Sequence, residues 1–411
     1  MIQAINKKNI GEFVENLYLL LFVLMISYYF LHSTTFVIDW PQYFYENLRI
    51  FLIVTIVVKA VVDEDSDYIN VILGALTAIV LLIAWKHNGY QELSDAVLLI
   101  VGCRGISFRK IVKVYVITCG VLLFYTMASA LTGKIENFIL HQEGRRTRIS
   151  FGIVYPTDFS AYVFYLILAY CYLRRAKIKY MEIAATTMVG ICVYVFCDAK
   201  LNTICILLTA GIMAYNKIRH DKAIKKQKDY NMAPIFSIFL CLSTTLAAIL
   251  MIVLTRLYSS NNELILLLNR VLTNRLMLGK RGIDLYGLSI FGQGIPMIGS
   301  GNSNAQPKNY FFLDSSYLFV LLQYGILVLG IILLLFLVMS FRARKERDWT
   351  LLWIIALMSL QCMVEHHMMN VSYNFLLSGT LAYLGKNVQV SQGIKPMIKN
   401  MIRKGKQHGK I

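Results

Sequence analysis

Apolar runs long enough to approach the thickness of a bilayer recur along almost the whole of this 411-residue chain. An α-helix needs about 20 apolar residues to cross the hydrocarbon of a membrane. Because 57% of the residues are hydrophobic and only 16% are charged, a soluble domain could not bury this much apolar surface. The sequence therefore predicts an all-α polytopic membrane protein, with residues 1–411 forming a single integral membrane domain. The twelve predicted spans are 17–37, 48–62, 68–85, 93–103, 111–131, 158–173, 180–196, 201–215, 234–255, 316–339, 351–364 and 371–384.

The placement of lysine and arginine predicts how these spans are oriented. Basic residues concentrate in alternate connections and in a basic tail over 386–411. By the positive-inside rule, both termini are expected in the cytoplasm of a multi-pass cell-membrane protein. Two long polar loops, 132–157 and 256–309, are then expected to face outward. The formal net charge of +18 is spread over short connections, which favours topology bias and contact with anionic lipid over binding of nucleic acid.

Cysteine and metal-ligand patterns argue against a disulfide framework or a metal cofactor. All eight cysteines lie in or beside apolar runs, without a Cys-x-x-Cys pair. The outer loops contain no Asp-x-Asp pair and no two histidines at helical ligand spacing. We therefore expect no cofactor and no bound metal.

Three arginines stand just before a predicted span in the first outer loop. Arg145, Arg146 and Arg148 lie on the side where the positive-inside rule disfavours them. One interpretation is interfacial anchoring by long side chains that reach the headgroups. The other is anion binding, because arginine is always charged and presents a planar fork of donors to phosphate oxygens.

The second outer loop opens with a predicted amphipathic helix. Apolar residues recur at helical spacing in NNELILLLNRVLTNRLMLGKR, and Asn262 is in place to cap the helix. Gly279 and Gly282 are expected to end it, with Lys280 and Arg281 at the break. The repeated glycines of FGQGIPMIGSGNSN, which follows, would let the backbone approach a ligand closely.

Four sequence pieces, in this order along the chain, resemble the Wzy-type polymerases of O-antigen, capsule and exopolysaccharide repeat units. RISFGIVYP is similar to the family's Arg-x-Ser-Phe-Gly stretch before a span, and CDAKLNTICILL stands where relatives have a short Ser-Arg-Thr type turn. RGIDLYGLSIFG has the Arg, ten residues, Gly spacing of the family's catalytic loops. FLDSSYLFVLLQYGIL is similar to its entry into a late span. The chain departs from the family at Tyr155-Pro156-Thr157, where many relatives have His-Pro-Asn, and at Lys200, where arginine is more usual.

The resemblance implies a glycosyltransferase with an all-helical fold like that of the type C lipid-linked glycosyltransferases. A growing glycan would move from undecaprenyl diphosphate to a new lipid-linked repeat unit at the outer face of the membrane. The implied partners are undecaprenyl-diphosphate-linked oligosaccharide, the lipid bilayer, a chain-length regulator and a flippase. Arg148 and Arg281 are the implied catalytic residues, and Arg145, Arg146 and Lys200 the implied diphosphate contacts.

The acceptor hydroxyl would benefit from a base, and several acids and histidines are available. We expect the base or a polar support among Asp314, Glu365 and His366, although the first could equally cap a span. The further carboxylates and imidazoles in place for this role are Asp158, Asp198, Asp284 and His367. Two alternatives remain: a ligase of the same architecture with another acceptor, and a repeat-unit flippase, which should carry more charges within its spans.

Overall fold

The computed structural model of the chain describes residues 2–62, 68–141, 146–225, 231–299 and 307–385. Within these ranges the chain is helical almost throughout, and its one sheet pairs two two-residue strands. The first half contains α1 (Ile2–His32), α2 (Phe44–Val62), α3 (Tyr68–Asn88), α4 (Gln91–Gly102), α5 (Phe108–Leu131), β1 (Ile139–Leu140), β2 (Arg148–Ile149), α6 (Pro156–Arg174), α7 (Tyr180–Cys197) and α8 (Lys200–Lys225). The second half contains α9 (Pro234–Cys241), α10 (Ser243–Arg256), α11 (Glu263–Val271), α12 (Arg275–Tyr286), α13 (Ser316–Phe319), α14 (Ile326–Lys345), α15 (Trp349–Gln361) and α16 (Phe375–Ser378).

Six helices in the described ranges are long and apolar enough to cross a membrane, and seven if the bent pair α9 and α10 counts as one span. The predicted all-α membrane class is therefore confirmed, but the count of twelve spans is wrong by this measure. Three predicted spans are too short, since α4 has 12 residues, α15 has 13, and the stretch 371–384 contains only the four-residue α16. Apolar composition alone does not distinguish such buried pieces from spans, because both avoid water.

Helices at the edge of the bundle expose apolar side chains, as expected for surfaces that face acyl chains. In the apolar stretch of α7 that is long enough to cross a membrane, only 22% of the residues are buried, against 50% in the corresponding stretch of α14. The inner helix α15 has buried leucine and isoleucine side chains on nearly every side. Lipid tails are as apolar as leucine, so the outer faces gain nothing from turning inward.

The second outer loop forms two helices whose boundary differs from the predicted one. Asn262 caps α11 as predicted, since its side chain accepts a hydrogen bond from the Ile265 amide at 3.2 Å. The chain turns at Thr273 and Asn274, both with positive φ. Gly279 and Gly282 lie inside α12, so the prediction that they end a helix is wrong.

These two glycines allow α12 to pack closely on its neighbours. A Cβ atom on Gly279 would lie 2.5 Å from a methyl carbon of Leu318 and 3.0 Å from one of Thr255. A Cβ atom on Gly282 would lie 2.9 Å from Leu322. Glycine is needed at these two positions for close helix packing.

The predicted span over 316–339 is interrupted in its first third. A π-helical segment, Val320–Tyr324, ends at Gly325, whose φ of 100° is strained for other residues. A Cβ atom on Gly325 would lie 2.4 Å from the backbone nitrogen of Gly292. The second outer loop therefore contacts this interruption of the helix at Gly292. Helix α14 begins directly after the interruption, at Ile326.

Candidate functional site

Charged side chains from separate parts of the chain meet at one end of α6, α12 and α15. They come from β2, the first turn of α6, the start of α12, the approach to α13 and the turns after α15. This group, called the charged cluster below, consists of Arg148, Asp158, Arg275, Asp314, Glu365, His366 and His367.

The turns after α15 hold three members of the cluster in place. α15 ends at Gln361 and the chain then continues in turns without forming another helix until α16. The backbone nitrogen of Ser316 donates to the carbonyl oxygens of Cys362 and Glu365, and the Ser316 hydroxyl also donates to the latter oxygen. The amide of Met368 donates to the same hydroxyl at 3.2 Å. These bonds fix 365–367 against the start of α13.

Glu365 is almost completely buried and is surrounded by polar groups. Only 5% of the residue is exposed, and the amide nitrogen of Asn202 lies 3.5 Å from one carboxylate oxygen. Burial, opposed in part by the charge of Arg275, raises the pKa of Glu365 to about 8. Burial also lowers the pKa of His366 and His367, so both imidazoles are neutral near neutral pH.

Two arginines supply the positive charge of the cluster. Arg148 is 3% exposed, donates from Nε to the carbonyl oxygen of Cys197 at 3.1 Å, and has its guanidinium carbon 5.5 Å from the Tyr155 ring centroid. Arg275 forms an ion pair with Asp314 at 3.0 Å and donates from Nε to the carbonyl oxygen of Val364 at 3.2 Å.

Sequence reasoning missed Arg275. The residue lies in the same polar loop as Arg281 and six positions before it, but it belongs to no recognised spacing. Six residues of α-helix turn the side-chain direction by about 240°, so the two arginines cannot share a face of α12. Arg281 is exposed, with its guanidinium carbon 5.7 Å from the ring centroid of Phe311. Arg148 and Arg275 are brought together in the sense that the charges of both act on the buried carboxyl group of Glu365.

The other predicted diphosphate contacts lie around the cluster or outside the described residues. Arg146 is exposed, with its guanidinium carbon 4.9 Å from the Tyr194 ring centroid. Lys200 is exposed and is the first residue of α8. Arg145 lies outside the part of the chain that the structure describes.

The connection between α7 and α8 borders the cluster. Asp198 ends α7 in a left-handed conformation with a φ of 46°. On its two sides, Cys197 accepts the hydrogen bond from Arg148, and Asn202 donates to the Ser160 hydroxyl at 2.7 Å and to the Thr157 carbonyl oxygen at 3.1 Å. The region that carries Lys200 is therefore attached both to the first outer loop and to the first turn of α6.

The candidate bases lie together, but their surroundings differ. Asp314 is tied to Arg275, whereas His366 packs edge-on against Phe312 with ring centroids 5.1 Å apart. Ligand atoms of Glu365, His366 and His367 all lie within 4.8 Å of one another, a separation that a metal ion could bridge. The arrangement can stabilise an anion through its arginines and accept a proton at a buried carboxylate.

No family model matches the chain, and neither a curated protein nor a solved structure matches it significantly.

Proposed function

We propose that this protein polymerises lipid-linked oligosaccharide repeat units at the outer face of the cell membrane. It transfers the growing glycan from undecaprenyl diphosphate to a new lipid-linked repeat unit. The observation that carries the proposal is that Arg148 from the first polar loop and Arg275 from the second both act electrostatically on the buried carboxyl group of Glu365. Both termini are then cytoplasmic, and a flippase and a chain-length regulator are the expected partners.

The proposed reaction needs fixed positive charge at the leaving group. As the bond between the sugar carbon and the diphosphate oxygen breaks, the electron pair passes to the diphosphate. Preorganised guanidinium groups stabilise that developing charge without reorganising. Arg148 has a fixed orientation, since its Nε is held by the carbonyl oxygen of Cys197.

The acceptor hydroxyl forms the new bond to the sugar carbon and loses its proton. Glu365 suits this role in its deprotonated form, because burial raises the pKa of its carboxyl group to about 8 and so makes the carboxylate a stronger base. Asp314 acts as a polar support, since it is already paired with Arg275. Arg281, Arg146 and Lys200 are exposed cations around the cluster and are the proposed contacts to the diphosphate as the lipid-linked substrate arrives.

The test is the length distribution of glycans in cells that carry single variants. Arg148→Ala and Arg275→Ala should each lower the polymerisation rate by about 10²–10³, as expected for loss of a preorganised donor. Lysine at either position should rescue only partly, because it keeps the charge but loses the fork. Arg281→Ala tests the arginine that the sequence spacing indicates. Arg270→Ala is the matched control, since Arg270 is an exposed arginine of the same loop.

Single repeat units should still be made and exported by all variants, with the amount of folded protein in the membrane measured in parallel. Long chains at normal yield from both cluster variants would contradict the arginine mechanism. Loss of exported single units as well would indicate a flippase. Normal polymer with loss of its transfer to a final acceptor would indicate a ligase.

A further inference from the structure

We propose that the charged cluster contains a binding site for one divalent transition-metal ion of the zinc class, held by His367, Glu365 and Asp158. The inference does not depend on the proposed function, because it concerns binding alone. His366 is the fourth candidate ligand.

Two of the separations between the ligand atoms, both measured from His367, are close to those found around a metal. His367 Nε2 lies 3.5 Å from an Asp158 carboxylate oxygen and 3.9 Å from a Glu365 carboxylate oxygen. In a tetrahedral site with bonds of about 2.0–2.1 Å, neighbouring ligand atoms lie about 3.3–3.5 Å apart. The observed separations therefore need only a small contraction to enclose an ion.

Three ring nitrogens of the two histidines are buried without hydrogen-bond partners in the described part of the chain. His367 is 1% exposed, yet neither of its ring nitrogens has a hydrogen-bond partner among the described residues. The Nδ1 atom of His366 is likewise buried without a partner there. Buried polar atoms in folded proteins are nearly always satisfied, so three such nitrogens in adjacent residues call for a ligand. A metal ion would take the lone pair that Nε2 of His367 directs between the two carboxylates.

The orientation of His367 is fixed from its other side. Its ring stacks on that of Tyr373, with centroids 4.0 Å apart and planes inclined by 13°. The ring is thus held with its acceptor nitrogen facing the carboxylates before any ion binds.

The cluster has three carboxyl groups and two guanidinium groups, so its charges can accommodate a cation once metal binding has deprotonated the carboxyl ligands. Three carboxylates, those of Asp158, Asp314 and Glu365, face the guanidinium groups of Arg148 and Arg275. Asp314 is engaged by Arg275 at 3.0 Å, which leaves the other two carboxylates around His367. Two imidazoles with carboxylates suit zinc, manganese or iron, whereas magnesium prefers six oxygen ligands.

Metal content of the full-length protein tests the proposal directly. The chain is purified in detergent without a histidine tag, treated with chelator, incubated with zinc chloride and desalted. Bound zinc is then counted per chain by mass spectrometry. We expect one zinc ion per chain in the wild type, with magnesium failing to compete, and loss of that ion in His367→Gln and Asp158→Asn.

The matched control is His220→Gln, which removes a histidine that lies 4.0 Å from a single carboxylate, that of Asp221. This variant should keep the zinc ion. Size-exclusion chromatography checks that each purified variant elutes as a single monodisperse peak. If His367→Gln or Asp158→Asn does not, Glu365→Gln is measured in its place. A monodisperse wild type that retains no zinc overturns the proposal. Unchanged zinc retention in monodisperse His367→Gln or Asp158→Asn overturns it equally.

Discussion

At the scale of single residues, the structure contains a second buried ion pair that is distant in sequence from the charged cluster. Arg49 of α2 lies 3.1 Å from Asp95 of α4, and the latter side chain is completely buried. The hydroxyl groups of Tyr29 and Tyr45 also donate to this carboxylate. Through these contacts Asp95 has a structural role that joins α1, α2 and α4.

Removing only the arginine of this ion pair should destabilise the protein. Arg49→Met is expected to lower the free energy of unfolding by about 3–5 kcal/mol, because it leaves a buried charge without its partner. The double variant Arg49→Met/Asp95→Leu should recover most of that loss. Thermal unfolding in detergent micelles measures both. Lys110→Met, which breaks a pair with Glu15 whose lysine is 58% exposed, is the control and should have little effect.

Lys200 occupies an unfavourable place for a cation. It is the first residue of α8, where the helix dipole is positive. Helix stability therefore gives no reason for a lysine here, which favours a role in binding an anion.

Replacing Lys200 distinguishes a role in helix stability from a role in anion binding. Lys200→Gln should leave thermal stability unchanged or slightly higher, because it removes a cation from a helix N-terminus. Lys200→Gln should also lower polymer yield. Lys200→Arg should leave both polymer yield and thermal stability unchanged, because it keeps the positive charge. The measurement pairs glycan length with melting temperature at matched protein level. Equal polymer from the two variants would remove Lys200 from the site.

At the scale of elements, α12 determines which arginine faces the charged cluster. The helix docks on α10 and α13 through glycines, and Arg275 at its start then meets Asp314 while Arg281 turns away. The helical spacing of apolar residues predicted α11 and its cap correctly. It did not predict the turn at Thr273 and Asn274, because no Gly or Pro marks that turn in the sequence.

Adding one methyl group should disturb this docking. Gly279→Ala is expected to cost about 1–3 kcal/mol, since its Cβ atom would lie 2.5 Å from Leu318 in a packed contact. Gly294→Ala in the same loop is the matched control, because no atom lies within 4 Å of the added carbon. Thermal unfolding of both purified variants decides the matter, and equal melting temperatures would contradict the packing role of Gly279.

At the scale of the whole molecule, orientation in the membrane is a prediction from charge placement. The two long polar loops are expected outside, and the connection over 217–228 inside. Suitable labelling positions are exposed in the structure: Lys134 in the first loop, Ser260 in the second and Lys222 in the connection.

Cysteine labelling measures this orientation. In a background with Cys192 changed to serine, because it is exposed while the other seven cysteines are buried, Lys134→Cys and Ser260→Cys should react with an impermeant maleimide in intact cells. Lys222→Cys should react only after lysis. The reverse pattern would invert the proposed topology and place the charged cluster on the cytoplasmic face.

The sequence by itself determined the class of the protein, because apolar composition leaves a chain no stable alternative to membrane helices. It also offered Asp314, Glu365 and His366 as candidates for the base or a polar support. It overcounted the spans, because buried irregular segments such as 371–384 are as apolar as a span.

Only the tertiary structure decided which charges meet. Arg148 and Arg275 are 127 positions apart in the sequence, and their common location depends on how α12 docks and on how the turns after α15 bind Ser316. Contacts between residues so distant in sequence leave no spacing pattern to detect. For the same reason, the position of His367 between two carboxylates followed from packing against Tyr373 and not from any ligand motif in the chain.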